Sequence, residues 1–504
     1  MVQVNLTQGI LEGKAGDGFA SFMGIPFAAP PVGGARFAPP GPAPTWEGVR
    51  SAAEPGPASL QGESSVPGMA ASGPRSEDCL YLNVWTPASD QGKRPVLVWI
   101  HGGGFVLGSG SGPLYRGGPL AVRGDVVVVS IQYRLGALGY ADFGPDGTEW
   151  GATPNAGQLD QVAALRWVQE HIYQFGGDAG NVTVFGESAG AMAISCLLAM
   201  PAAEGLFHKA IMQSGGGMLM RARNRLQKLT GTLVEKLGVT GAAILDLQGE
   251  KILEAQASIL AGRPMVDGFG PCADGEVLPE MPHLAVQAGR TAKVPVLMGT
   301  NRDEMTLFNT TPGRAALNDS ALQQRVAFLL FCDLAEAGEV ISKIRASRRD
   351  HGLPDQNHNI FDTIQTVAGF RIPGNLFAEA RAREGQQTWM YLFTHESPAW
   401  HGVLGSCHAL ELPFVFGTLD APTQDKFAGT GEAVEALSGK MMDAWIAFAR
   451  NGDPSHDGLD PWQPYDEQTR ATMIFHGESH LATDPFAEER LALEDKVRRS
   501  LAPG

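Results

Sequence analysis

Gly186-Glu187-Ser188-Ala189-Gly190 sets one serine between small residues in the pattern G-x-S-x-G. Asn181–Phe185 (NVTVF) before it reads as a strand, and Ser188–Met200 (SAGAMAISCLLAM) after it reads as a small-residue helix stopped by Pro201. A serine on so tight a strand-to-helix turn must take up strained backbone angles, and glycine on either side lets the two elements approach closely. Such a turn would lift the Ser188 hydroxyl above the strand ends, at a helix N-terminus that favours developing negative charge. The chemistry implied is attack of the serine oxygen on an electrophilic carbon. The competing reading is a structural turn in a chain with 64 glycines.

A serine nucleophile needs donors for the oxyanion it creates and a base for its own proton. His101-Gly102-Gly103-Gly104-Phe105 directly follows the apolar run Pro95–Ile100 (PVLVWI). Three successive glycines leave backbone N–H groups unshielded, so the amides of Gly103 and Gly104, with that of Ala189 after the serine, are the expected donors. A dinucleotide or phosphate loop is excluded on spacing: Gly102–Gly112 has no G-x-G-x-x-G, and no G-x-x-x-x-G-K-[ST] occurs anywhere. The base is harder, because spacing alone cannot rank the 12 histidines.

The elements that would carry these residues alternate. Pro95–Ile100 and Val126–Ile131 are continuous apolar runs of the kind buried on both faces of a sheet, and His208–Gln213, Val294–Gly299 and Thr388–Phe393 continue the strand series. Leu159–His171 has apolar residues at helical spacing. Strands alternating with helices imply an α/β fold, a mostly parallel central sheet with helices on both faces. Between about 305 and 385 the pattern turns mainly helical, as expected for a lid-like insertion over the sheet within one catalytic domain spanning 1–504. The Gly- and Pro-rich segment before about residue 90 reads as extended, turn-punctuated chain.

Composition narrows the class further. With 504 residues and 43% hydrophobic content the chain can bury a large core without disulfide or metal staples. A net charge of 38 − 54 = −16 argues against nucleic acid and anionic membranes as partners. Five scattered cysteines (Cys79, Cys196, Cys272, Cys332, Cys407) without a C-x-x-C pair suggest reduced thiols. The first residues lack a signal-peptide pattern, and no apolar run approaches a membrane span. The expectation is a cytoplasmic enzyme of bacterial type.

Several stretches together resemble type B carboxylesterases: Phe22–Phe37, Ser76–Pro87 (SEDCLYLNVWTP), Ile100–Phe105 (IHGGGF), Tyr133–Tyr140 and Asn155–Ile172. Phe175–Gly190 (FGGDAGNVTVFGESAG), His408–Gly417 (HALELPFVFG) and Trp445–Pro454 (WIAFARNGDP) complete the set. The resemblance implies an α/β-hydrolase fold and a serine carboxylic-ester hydrolase working through an acyl-enzyme, with a small-molecule ester as substrate. It implies His408 as the base, with His401 as the local competitor, and Glu304 as the acid, with Asp303 as its adjacent rival. Met305 departs from the family's usual glycine after the acid. Supporting positions fall on Glu187, Ser214 and Glu411.

In secreted members Cys79 pairs with a cysteine some twenty residues earlier; Ser59 stands there, so that bridge cannot form. No cofactor and no metal are expected. The alternatives are an amidase or lyase on the same fold, or a non-catalytic neuroligin-like binding protein, which would need a lost nucleophile. A histidine base would make kcat/KM fall with acid through an apparent pKa of about 6–7. The pocket residues, the preferred ester, and the choice between monomer and weak homo-oligomer stay open.

Overall fold

The computed structural model describes residues 1–63, 71, 73–217, 220–263, 267–310 and 313–501. Its strands are β1 (Val2–Leu6), β2 (Gly9–Gly16), β3 (Phe19–Pro26), β4 (Val49–Ser51), β5 (Ala58–Ser59), β6 (Arg75–Ser76), β7 (Tyr81–Thr86) and β8 (Arg94–Ile100). They continue with β9 (Val127–Ile131), β10 (Gly177–Glu187), β11 (Lys209–Gln213), β12 (Val296–Asn301), β13 (Thr388–Phe393), β14 (Ala471–Phe475) and β15 (His480–Thr483).

The main sheet runs β1-β2-β3-β7-β9-β8-β10-β11-β12-β13-β14-β15, with β4 on β2; β5 and β6 pair separately. From β9 to β14 every pairing is parallel, and the strands on either side are added antiparallel. Each apolar run expected as a buried strand is one, within a few residues. The N-terminal segment departs from expectation: β1–β3 and β7 form an antiparallel wing on the sheet. Its glycines and prolines punctuate real strands, and turn signals masked the shorter alternating runs between them.

The central stretches of the parallel strands are mainly apolar because both faces are covered. Along β8, Val96, Val98 and Ile100 enter one core while Leu97 and Trp99 enter another. The helices Ala156–His171 and Ala189–Ala199 pack on the first face, and the helix Glu432–Asn451, through Met441, Trp445 and Phe448, packs on the second. Residues 319–383 form the helices Asp319–Leu330, Leu334–Asp350, Asn357–Thr366 and Ile372–Arg383. These build a third core that Leu493 and Val497 of the C-terminal helix Ala487–Leu501 complete. Among the described residues no helix is long and apolar enough to cross a membrane.

All five cysteines are unpaired. Cys79 lies near Ser59, and burial pushes its thiol up to about 12. Ser59 therefore stands beside Cys79 in space as its place in the sequence required.

Candidate active site

The C-terminal ends of the central strands converge. Ile100, Gly186 and Met212 lie in register across β8, β10 and β11, and Glu187 pairs with Gln213 one residue on. Catalytic groups of open α/β sheets sit outside these strand ends. Ser188, the first residue beyond β10, has φ 55° and ψ −122°, a conformation strained for a side chain with a Cβ. The helix Ala189–Ala199 begins at once. A methyl on Gly186 would lie 2.7 Å from the Ile100 carbonyl oxygen, and one on Gly190 would collide with the same oxygen. The flanking glycines are thus imposed by the approach of β8.

The glycine loop after β8 turns toward this serine. A methyl on Gly102 would sit 3.2 Å from the Ser188 Cβ. Gly103 and Gly104 have φ of 103° and 63°, which only glycine adopts without strain in successive positions. Among the described residues neither amide donates to a protein acceptor.

His408 and Glu304 meet. Nδ1 of His408 lies 2.6 Å from Glu304 Oε2, and both side chains are fully buried. The other Glu304 oxygen accepts the Asn301 amide at 2.7 Å. A carboxylate can only accept, so Nδ1 carries a proton and Nε2 faces the site. The competitor His401 lies in an exposed turn and touches none of these groups. Rings of Phe308 and Phe370 pack on the imidazole at centroid distances of 5.0 and 5.4 Å. Phe370 belongs to a π-helical turn, Val367–Arg371, a distortion common at functional sites. Periodicity cannot reveal such a turn, and neither ring was foreseen.

Asp303 faces the other way. Its carboxylate accepts the Ser406 amide at 3.0 Å and Arg302 Nε at 2.9 Å, with Arg348 Nη1 at 3.4 Å. Burial alone would raise this carboxyl, but Arg302 and Arg348 outweigh it and hold it below its ordinary value. Asp303 therefore ties the loop bearing His408 to the helix Leu334–Asp350, which carries Arg348. Asp303→Asn is expected to cost about 3 kcal/mol by taking from the buried Arg302 and Arg348 guanidiniums the carboxylate they share. The urea midpoint of unfolding should fall accordingly, while kcat/KM of the folded enzyme stays within about tenfold. Unchanged stability would contradict this placement.

Glu187 and Glu411 are both buried in this region, whereas Ser214 behaves differently. Glu187 Oε1 lies 2.9 Å from His408 Nε2, an ion-pair contact too far off the ring-nitrogen axis for a directed hydrogen bond. No hydrogen bond joins Ser188 to His408. Glu411 accepts from Asn301 Nδ2 at 2.7 Å and Gln213 Nε2 at 3.0 Å. The Ser214 hydroxyl is buried without a partner, so the link expected there is made by its neighbour Gln213 instead. Ser214 has φ 53°, which turns the chain off the strand just after Gln213.

Charge in this cluster shifts its titrations. Burial by itself would lower the proton affinity of His408, but Glu187 and Glu304 outweigh it and raise the pKa well above 6.5. Burial pushes Glu411 up to about 8, helped by the same two carboxylates, and burial likewise raises Glu187. A largely apolar cavity of about 260 Å³ is lined by Gly102, Gly103 and Glu187, the last next to the serine in sequence, together with Leu114, Trp400 and Phe427. Among the described residues no group of three or more His, Cys, Asp or Glu could hold a metal ion.

A parallel α/β sheet, a serine on a strained strand-to-helix turn and a buried His–Glu pair together define a serine ester hydrolase of the α/β-hydrolase fold. The profile of the Carboxylesterase family matches residues 1–492. The chain belongs to that family. It is 38% identical over 501 residues to a para-nitrobenzyl esterase of Bacillus subtilis (strain 168), covering 97% of this chain and 98% of that protein. A fumonisin B1 esterase of Sphingopyxis macrogoltabida is 36% identical, over 91% and 84% of the two chains. The crystal structure of a Geobacillus stearothermophilus carboxylesterase superposes with a TM-score of 0.86 at 39% identity, covering 97% of this chain and 99% of that one.

Proposed function

We propose that Ser188, His408 and Glu304 form the catalytic triad, with the amides of Gly103, Gly104 and Ala189 as the oxyanion hole. The Ser188 hydroxyl passes its proton to His408 Nε2 while its oxygen bonds to the ester carbonyl carbon. The carbonyl oxygen becomes an oxyanion held by the three amides. When the intermediate collapses, the C–O bond to the alcohol breaks and the alcohol leaves with the proton from Nε2. Water then attacks the acyl-enzyme, gives a proton to Nε2, and Ser188 recovers it as the acid departs. Glu304 fixes the Nδ1–H tautomer and stabilises the imidazolium. The observation that carries this reading is the 2.6 Å His408–Glu304 contact beside a serine at φ 55°.

The apolar cavity suits esters with one uncharged, bulky or aryl portion. The names of the relatives, para-nitrobenzyl esterase among them, support the same substrate class. A panel of p-nitrophenyl esters from acetate to palmitate tests it: a burst of one p-nitrophenol per enzyme, with short to medium acyl chains turned over fastest, is expected. No burst where deacylation limits turnover would contradict an acyl-enzyme. The unpaired thiols and the Ser59 replacement favour a soluble cytoplasmic enzyme of bacterial type, which activity in the soluble fraction of fractionated native cells would check.

The pH dependence follows from the two carboxylates flanking His408. Nucleophilic attack needs Nε2 without a proton, so kcat/KM falls as pH falls through the pKa of His408. Because that pKa is raised, the acid limb should lie above the 6–7 expected of an ordinary histidine base. Glu187→Gln removes one of the charges and should move the limb down by about one pH unit or more. A limb at the same pH in both proteins would contradict the electrostatic role of Glu187.

A further inference from the structure

His101 opens the glycine loop and is fully enclosed, with 1% of its surface exposed. Its Nδ1 lies 2.9 Å from the carbonyl oxygen of Gly102, the next residue. A carbonyl can only accept, so Nδ1 carries the proton and donates. Nε2 is buried and has no partner, and burial lowers the ring to about 4, so His101 is neutral at working pH. The ring stacks on Tyr133 at a centroid distance of 4.5 Å, and the Tyr133 hydroxyl donates to the His101 carbonyl at 2.8 Å. Gly108 closes the opposite side: a methyl there would lie 2.5 Å from both His101 Nδ1 and Gly102 O. Gln61 fixes Gly108 from both edges, accepting its amide at 2.8 Å and donating to its carbonyl at 2.7 Å.

In a trans peptide the C=O and the following N–H point in opposite directions. A hydrogen bond that anchors the Gly102 carbonyl therefore also sets the direction of the Gly103 N–H. Glycines on both sides of this peptide leave its plane free to rotate unless something holds it. We infer that His101 is a positioning residue for the oxyanion hole: its Nδ1–H holds the Gly102–Gly103 peptide so that the Gly103 N–H is aimed at the oxyanion before substrate arrives. The inference rests on the oxyanion role given to Gly103 above. Preorganised donors stabilise a transition state because they need no reorientation as charge develops. A buried histidine with one nitrogen unsatisfied is costly as mere packing, and a phenyl ring would stack on Tyr133 without that cost.

Three variants test this. His101→Phe keeps a flat ring against Tyr133 and removes the donor. His101→Asn places an amide N–H where Nδ1 was. Gly108→Ala leaves the histidine in place and crowds its bond to Gly102. For His101→Phe, kcat should fall roughly ten- to hundredfold with KM within twofold, since misdirecting one donor approaches the loss of one. Affinity for a trifluoromethyl ketone, whose adduct with serine carries the oxyanion, should fall by the same factor. His101→Asn should recover most of both losses, Gly108→Ala should share them, and the acid limb of kcat/KM should stay where it is in the parent. Full kcat in His101→Phe, or equal losses in the Phe and Asn variants, would overturn the inference and leave His101 as packing. Ser188→Ala separates the two levels: if it stays active the reading of the site fails, whereas an inactive Ser188→Ala beside a fully active His101→Phe sinks this inference alone.

Discussion

Ser188→Ala is expected to reduce kcat for ester hydrolysis by a factor on the order of 10⁴–10⁶ while leaving the fold intact. The size follows from the cooperation of the proposed triad: without the nucleophile, His408 has no proton to take and Glu304 no imidazolium to stabilise. The fold should survive because the Ser188 side chain makes no hydrogen bond that holds the turn. The turn is held instead by the backbone, through the Ser188 amide to the Gln213 carbonyl at 2.8 Å, and by the glycines packed against β8. Alanine keeps that amide and meets the same cost at φ 55°. Circular dichroism and thermal melting should match the parent. More than about a tenth of the activity in folded Ser188→Ala would send the search to another nucleophile.

Glu304→Gln should cost roughly 10³–10⁴ in kcat. The carboxylate accepts from the Asn301 amide and from His408 Nδ1 at once, and in the proposed mechanism its charge stabilises the imidazolium formed as Ser188 loses its proton. Glutamine is isosteric but neutral, and its NH₂ can turn toward His408 and favour the wrong tautomer. The comparison with Asp303→Asn is the sharper half of the experiment. The two carboxylates are adjacent in sequence and both buried, yet one meets His408 and the other meets Arg302, Arg348 and the Ser406 amide. Catalysis should collapse in the first variant and stability in the second. A reversed ranking in kcat/KM, measured on folded protein, would move the acid by one residue.

Much of this site was legible in the sequence, and the reasons differ by residue. Ser188 was legible because a strained turn demands small neighbours, and G-E-S-A-G between an apolar run and a small-residue helix fits little besides a turn that presents a nucleophile. The glycine loop was legible for a similar reason, since three glycines in a row serve the backbone and not a side chain. His408 and Glu304 were not legible from spacing. They lie more than a hundred residues from each other and from Ser188, and only the family resemblance ranks them.

What escaped altogether depends on the third dimension. The contact between Glu187 and His408 Nε2 is set by how β10 and the loop after Ser406 come together, and the raised pKa of His408 follows from that contact. Gln213 rather than Ser214 reaches Glu411 because the chain turns to positive φ immediately after β11. The antiparallel wing of β1–β3 was hidden by its own turns. Phe370 reaches His408 through a π-helical turn that interrupts the regular helical period.

The most direct measurement is covalent. A fluorophosphonate reagent reacts preferentially with an activated serine, which displaces fluoride and keeps a phosphonyl group on the attacking oxygen. Digestion and peptide mass mapping of the inhibited enzyme should find one adduct, on Ser188 in the peptide containing Gly186–Gly190, at a stoichiometry equal to the lost activity. His408→Ala should label at least about a hundredfold more slowly, because the base that activates the hydroxyl is gone. Complete inactivation with an unmodified Ser188 peptide, or an adduct on another residue, would contradict Ser188 as the nucleophile of this enzyme.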